Sequence, residues 1–143
     1  KAYPAWWKRP HATFLENNMP IDARLPYDDS NILAKILRGE IPNKTVYEDE
    51  WALALHDINP QAPVHVLVIP KKGYVSWDDF TANASDAEIA GFNRAVGHTA
   101  RILGVVEQGY RLITNVGTNA HQEIAHLHVH ILSGKPLGPM LMR

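Results

Sequence analysis

Apolar residues recur along the chain in two periods, and the changes between them mark out the elements. Ile32, Leu33, Ile36 and Leu37 fall on one face of a two-turn helix, with Ser30 as candidate N-cap and Gly39 as its stop. Three apolar runs follow, Thr45–Glu48, Trp51–Ile58 and Val64–Ile69, and the last two are joined by Asn59-Pro60-Gln61-Ala62-Pro63. Bounded by turn residues, these read as strands. Ser85-Asp86-Ala87-Glu88 is a capping box, behind which Ile89, Phe92, Val96 and Leu103 share one face until Gly104 stops the helix. Two further strands, Gly109–Asn115 and His126–Leu132, flank the loop Val116–Glu123. The expected fold is α+β, a mostly antiparallel five-stranded sheet with a short N-terminal helix and one long helix.

Residues 1–28 lack either period. Pro4, Pro10, Pro20 and Pro26 resist helix and central strand, so the stretch reads as an irregular arm ahead of a domain over residues 29–143. The adjacent Trp6 and Trp7 are costly to leave in water, which suits an arm lying on the body or on a second subunit, and a mobile tail is the equally weighted alternative, since termini are commonly poorly ordered.

Composition narrows the classes. At 143 residues the chain is long enough for one domain with a substantial core, and 14 Lys+Arg against 15 Asp+Glu leave no basic excess. Neither nucleic acid nor a membrane is therefore an expected partner. The absence of cysteine excludes disulfides, a thiolate nucleophile and Cys-ligated zinc. Without an eighteen-residue apolar stretch or a signal-like start, the expected setting is soluble and cytoplasmic. Eight histidines stand out, four of them between positions 121 and 130.

As a strand, His126-Leu127-His128-Val129-His130-Ile131-Leu132 would place three imidazoles on one face and the aliphatic residues on the core face. Three chemistries fit. Zinc on two of the histidines, with His65 or Glu123 as a third ligand, is one; all three cannot share a metal, since His126 and His130 lie about 13 Å apart at the usual strand rise. Nucleophilic catalysis by the central imidazole is the second, because a ring with a pKa near 6.5 is largely unprotonated at neutral pH. A structural ladder of mutually satisfied histidines is the third. His56, His98 and His11 carry no supporting pattern and read as structural or surface residues.

Asn115-Val116-Gly117 followed by Gln122-Glu123-Ile124-Ala125-His126-Leu127-His128-Val129-His130 resembles the signature of the histidine triad family. The run Leu55–Lys72 is similar to that family's first sheet segment, Ile32–Pro42 to its opening helix, and Ser133–Leu141 to the ending of the bacterial nucleotide-binding (Hint) branch. The resemblance spans about residues 29–143.

It implies a nucleotidyl hydrolase acting on the α-phosphate of purine nucleotides, nucleoside phosphoramidates above all, working as a homodimer whose two sheets join. No metal or other cofactor is required by that chemistry. His128 would attack phosphorus and form a nucleotidyl-histidine intermediate, His130 would bind the phosphate, and His126 would orient the nucleophile beside His65. Asp57 would take the ribose hydroxyls, with Ile58, Ile32, Leu33 and Ile36 walling the base. Asn115 and the backbone around Gln122 and Glu123 would surround the phosphate and leaving group, with the Glu123 carboxyl passing a proton to a departing amine or alcohol. A dinucleoside polyphosphate hydrolase, a nucleotidylyltransferase and a non-catalytic purine nucleotide sensor remain alternatives. The resemblance departs at His121, where a small residue, most often Gly, is usual.

Overall fold

The computed structural model describes residues 19–141. The expectations for Pro4, Trp6, Trp7, Pro10 and His11 lie outside them. Helix α1 (Ile32–Leu37) precedes strands β1 (Thr45–Glu48), β2 (Ala52–His56) and β3 (Val64–Pro70). Helices α2 (Trp77–Asn83) and α3 (Asp86–Ile102) follow, then strands β4 (Arg111–Ile113) and β5 (Val129–Ser133). The sheet has the order β1-β2-β3-β5-β4, and every neighbouring pair is antiparallel, as expected for this α+β fold. No helix among the described residues is long and apolar enough to cross a membrane.

Alternation along the central strands explains the two-sided core. On one face Ala52 and Ala54 of β2, Val66 and Val68 of β3, and Val129 and Ile131 of β5 pack with Leu127 against Phe92, Ala95 and Val96 of α3. The capping box of Ser85 and Glu88 starts that helix, and Leu103 caps it ahead of Gly104. On the other face Leu53, Leu55, Leu67 and Ile69 meet Leu33 and Ile36 of α1 together with Ile41. Six residues of helix cover only one end of this face. The part of β3 and β5 that carries His65 and His130 is left to line a cavity instead.

Three local readings change. The N-cap of α1 is Asn31, not Ser30: the Asn31 side chain accepts the Ala34 N–H at 2.9 Å, while the Ser30 N–H is bound to Asp28. Helix α2 was not expected; it is a short helix of about two turns capped by Ser76, with Asp78 and Asp79 in its first turn and Phe80 fully buried. The histidine segment is not one continuous strand. Ladder pairing begins at Val129 opposite Val68, because the Leu127 N–H is donated to the Tyr74 carbonyl (2.7 Å) and the His128 carbonyl accepts from Thr114 Oγ1 (2.9 Å). His126 is therefore fully buried and does not stand on an open sheet face.

Candidate functional site

The sheet places His65 on β3 and His130 on β5, two adjacent antiparallel strands, with His130 opposite Leu67. His65 Nε2 and His130 Nδ1 are 2.8 Å apart, and the His128 and His130 rings meet edge-on at 5.2 Å between centroids. These three side chains line a cavity of ≈ 370 Å³ with Asp57, Asn59, Gln61, Leu67, Asn115, Ala120, His121, Glu123 and Ile124. A second cavity of ≈ 340 Å³ shares Glu123 and Ile124 with it and is walled by Ile21, Ile32 and Ile41, with Asp28, Asn31 and Lys35 at its polar edge.

Backbone partners settle which nitrogen of each ring carries its proton. The Gln61 N–H is donated to His65 Nδ1 at 3.0 Å, so a neutral His65 carries hydrogen on Nε2. That hydrogen is donated to His130 Nδ1, which leaves the His130 Nε2–H as a donor beyond the pair. The His128 Nδ1–H is donated to the His126 carbonyl at 2.7 Å, and the Nε2 lone pair of His128 is left without a partner among the described residues. His126 donates from Nε2 to the Pro70 carbonyl (2.9 Å) and accepts at Nδ1 from the Tyr27 hydroxyl (2.6 Å). His126 thus orients His128 through its main chain, while its ring is a buried anchor.

Burial keeps the cluster neutral. It is the main cause that pushes His126 down to about 4, with the neighbouring His128 adding to the effect against the Pro70 carbonyl. For His130 burial comes first, then the charges of His128 and His65, and together they push it down to about 3. His128 is lowered by burial as well, opposed by the His126 carbonyl, Asp57 and Glu123. His65 is lowered by burial and pulled back by Asp57, whose Oδ2 lies 3.4 Å from Nε2. An imidazole lowered from 6.5 is an uncharged nucleophile or donor at neutral pH.

Asp57, His65 and His130 also each turn one ligand atom to within 4.8 Å of the others, a spacing open to a metal ion. The hydrogen bonds argue for proton sharing there instead. Ligation at His65 Nε2 would require removing its proton while Nδ1 still faces the Gln61 N–H, which leaves an imidazolate.

The other expected site residues are distributed as follows. Asn115 lines the main cavity, as does Glu123, whose Oε1 lies 3.1 Å from His121 Nε2. Gln122 is fully buried: its amide donates to the Val75 and Ile124 carbonyls and its oxygen accepts the Gly117 N–H, so the side chain ties the loop to the body. Leu33 and Ile36 belong to the core behind Leu67, and Ile32 faces the second cavity. Ile58 is 43% exposed and does not line the histidine cavity. His56 is exposed and His98 packs edge-on against Tyr47.

Two supporting residues were not foreseen, Tyr27 and Thr114. Tyr27 is 99 residues from the ring it holds, and no local pattern marks such a pairing.

The HIT domain matches residues 38–137 of this chain. An uncharacterised 13.2 kDa HIT-like protein of Azospirillum brasilense is 59% identical over 117 residues, covering 82% of this chain and 96% of its own length. The purine nucleoside phosphoramidase of Escherichia coli K12 is 41% identical over 116 residues, covering 79% of this chain and 94% of its own. Among solved structures, a HIT family hydrolase from Clostridium thermocellum superposes with a TM-score of 0.72 at 41% identity, covering 80% of this chain and 99% of that one. A histidine triad protein from Clostridium difficile gives 0.71 at 39% identity, covering 81% and 100%. Sequence, sheet order and family match agree, and the chain belongs to the HIT domain family.

Proposed function

We propose that this protein is a nucleotidyl hydrolase that cleaves purine nucleoside phosphoramidates through a covalent intermediate on His128. The observation that carries the reading is the His128 ring itself, held by the His126 carbonyl with its Nε2 lone pair free in a cavity shared with His65 and His130. The 41% identical phosphoramidase of Escherichia coli adds support for the substrate class.

In the first step His128 Nε2 bonds to the α-phosphorus and the bond to the leaving nitrogen breaks. The His130 Nε2–H, aligned by His65, donates to a phosphoryl oxygen as charge develops on it, and a preorganised donor in a buried site is effective there. Water then displaces His128 and releases the nucleoside monophosphate. Asp57 has one oxygen on the Asn59 N–H and the other near His65, and its remaining lone pairs suit two ribose hydroxyls. The purine lies against Ile32 and the isoleucine wall of the second cavity. Asn115 and the Gln122–Glu123 backbone border the phosphate and leaving group. No metal or cofactor takes part.

The test is mass spectrometry of the protein quenched seconds after mixing with an adenosine phosphoramidate. An added nucleotidyl mass on the peptide holding His128 is expected; turnover with the mass absent, or found on another residue, sinks the covalent reading. Nucleotide binding without turnover would instead make this a sensor, and equal turnover of dinucleoside polyphosphates would widen the substrate class.

A homodimer through the free edge of β4 accompanies this reading. β4 is one of the two edge strands, and the end of α3 and the chain after it expose Ile102, Val106, Tyr110 and Leu112. Leu112→Lys is expected to sediment as a monomer where the parent protein sediments as a dimer. Equal sedimentation of the two places the contact elsewhere.

A further inference from the structure

His121 is the one non-glycine residue with positive φ (57°) among the described residues. Few L side chains adopt that backbone, although histidine does so more readily than most. The loop itself is closed without the imidazole: the His121 N–H is donated to Thr118 O, the Gln122 N–H to Gly117 O, and the buried Gln122 side chain ties the turn to Val75 and Ile124. Glycine would meet the backbone demand without cost. What the imidazole adds is its place on the cavity wall and its Nε2, 3.1 Å from Glu123 Oε1. The ring is 58% exposed, whereas Glu123 is 26% exposed and faces both cavities.

We propose that His121 and Glu123 form a proton relay for the leaving group, with His121 the positioning residue that supplies Glu123 from solvent. The relay rests on the hydrolase reading above. In the first step the P–N electron pair goes to the departing nitrogen, which takes a proton from the Glu123 carboxyl. Glu123 draws that proton from His121 Nε2–H as solvent delivers one to Nδ1 of the same exposed ring, so the ring stays neutral. In the second step the attacking water gives up its proton along the same route in reverse, as its oxygen bonds to phosphorus and the bond to His128 Nε2 breaks. One proton enters and one leaves per turnover, so the pair is restored. Neither His65 nor His130 is available for this task, since the proton between them is committed to holding the phosphate donor.

A relay of this kind matters only when the leaving group needs a proton. An alkylamine must be protonated as it departs, whereas 4-nitrophenolate departs as a stable anion. The experiment compares kcat/KM for an adenosine alkylphosphoramidate and for the 4-nitrophenyl ester of AMP in the parent protein, in His121→Gly and in His121→Asn. Glycine and asparagine both accept the left-handed backbone, so either variant keeps the loop. The amidate reaction is expected to fall on the order of a hundredfold in both variants, the usual worth of a positioned proton donor, and the ester reaction by no more than a few-fold. Equal losses on both substrates, or no loss on the amidate, overturn the relay while leaving the His128 reading intact. If the parent protein cleaves neither substrate, the hydrolase reading fails and the relay with it.

Discussion

His128→Ala is expected to lower turnover of an adenosine phosphoramidate on the order of 10⁴-fold or more, with nucleotide affinity kept within a few-fold. The expectation comes from the division of labour in the cavity. Of the imidazoles of His65, His126, His128 and His130, only that of His128 presents a lone pair not committed to a protein donor among the described residues, since His65 Nδ1 accepts from Gln61, His130 Nδ1 from His65 and His126 Nδ1 from Tyr27. Removing it takes away the reacting atom, while Asp57 and the isoleucine wall that would hold the nucleoside are untouched. His130→Ala, which removes a donor to the phosphate, is expected to cost less, on the order of 10²–10³-fold. Steady-state kinetics with both variants, alongside thermal melts to show that they fold, make the check. Residual activity of a few per cent in His128→Ala would remove His128 from the nucleophile's place.

Gly134→Ala is expected to be strongly destabilising, costing on the order of 3 kcal/mol and lowering Tm on the order of 10 °C. Gly134 follows β5 with φ +96°, where an L residue is strained, and an added Cβ would sit 2.7 Å from Pro63 Cβ and 3.2 Å from the Val64 backbone nitrogen. Neither neighbour gives easily, because Val64 is paired with Ser133 at the start of β3 and His65 comes next. The strain is therefore passed into the strand that holds the His65–His130 pair. Gly138→Ala is the matched control: φ is +79°, yet an added Cβ meets nothing within 4 Å. Urea denaturation of the two variants separates backbone strain from the clash, and a loss at Gly134 no larger than at Gly138 would show that Pro63 moves aside freely.

The long helix, the five strands and the antiparallel sheet were legible because each rests on local chemistry. The Ser85–Glu88 capping box needs four consecutive residues, and the strand runs are bounded by turn residues a few positions away. Helix α2 escaped because seven residues give too short a stretch for a helical period to show, although Ser76 ahead of Asp78 and Asp79 is a capping signal of its own. The one-residue shift of the α1 cap from Ser30 to Asn31 reflects two adjacent residues with equal capping chemistry.

At the site, the spacing of His126, His128 and His130 was enough to mark a place where chemistry is concentrated, but alternation assigned the three rings to one face and so to similar surroundings. Their surroundings diverge because of partners that alternation does not show: Pro70 and Tyr27 for His126 and His65 for His130, all far away in the chain, and the main-chain carbonyl of His126, two residues back, for His128. Gln122 shows the same limit. The motif puts the backbone around Gln122 beside the phosphate and says nothing of its side chain, whose three hydrogen bonds are all to backbone groups of the fold.

What the sequence determined by itself was the five strands and two of the three helices, the family and the neighbourhood of the site, since helix caps, strand alternation and motif spacing act over a few residues. Only the tertiary structure decided which imidazole nitrogen is free, which histidines are neutral and which loop residue faces the cavity. Those properties depend on burial and on hydrogen-bond partners up to 99 residues apart, and desolvation belongs to the packed molecule, with no counterpart in the local chain.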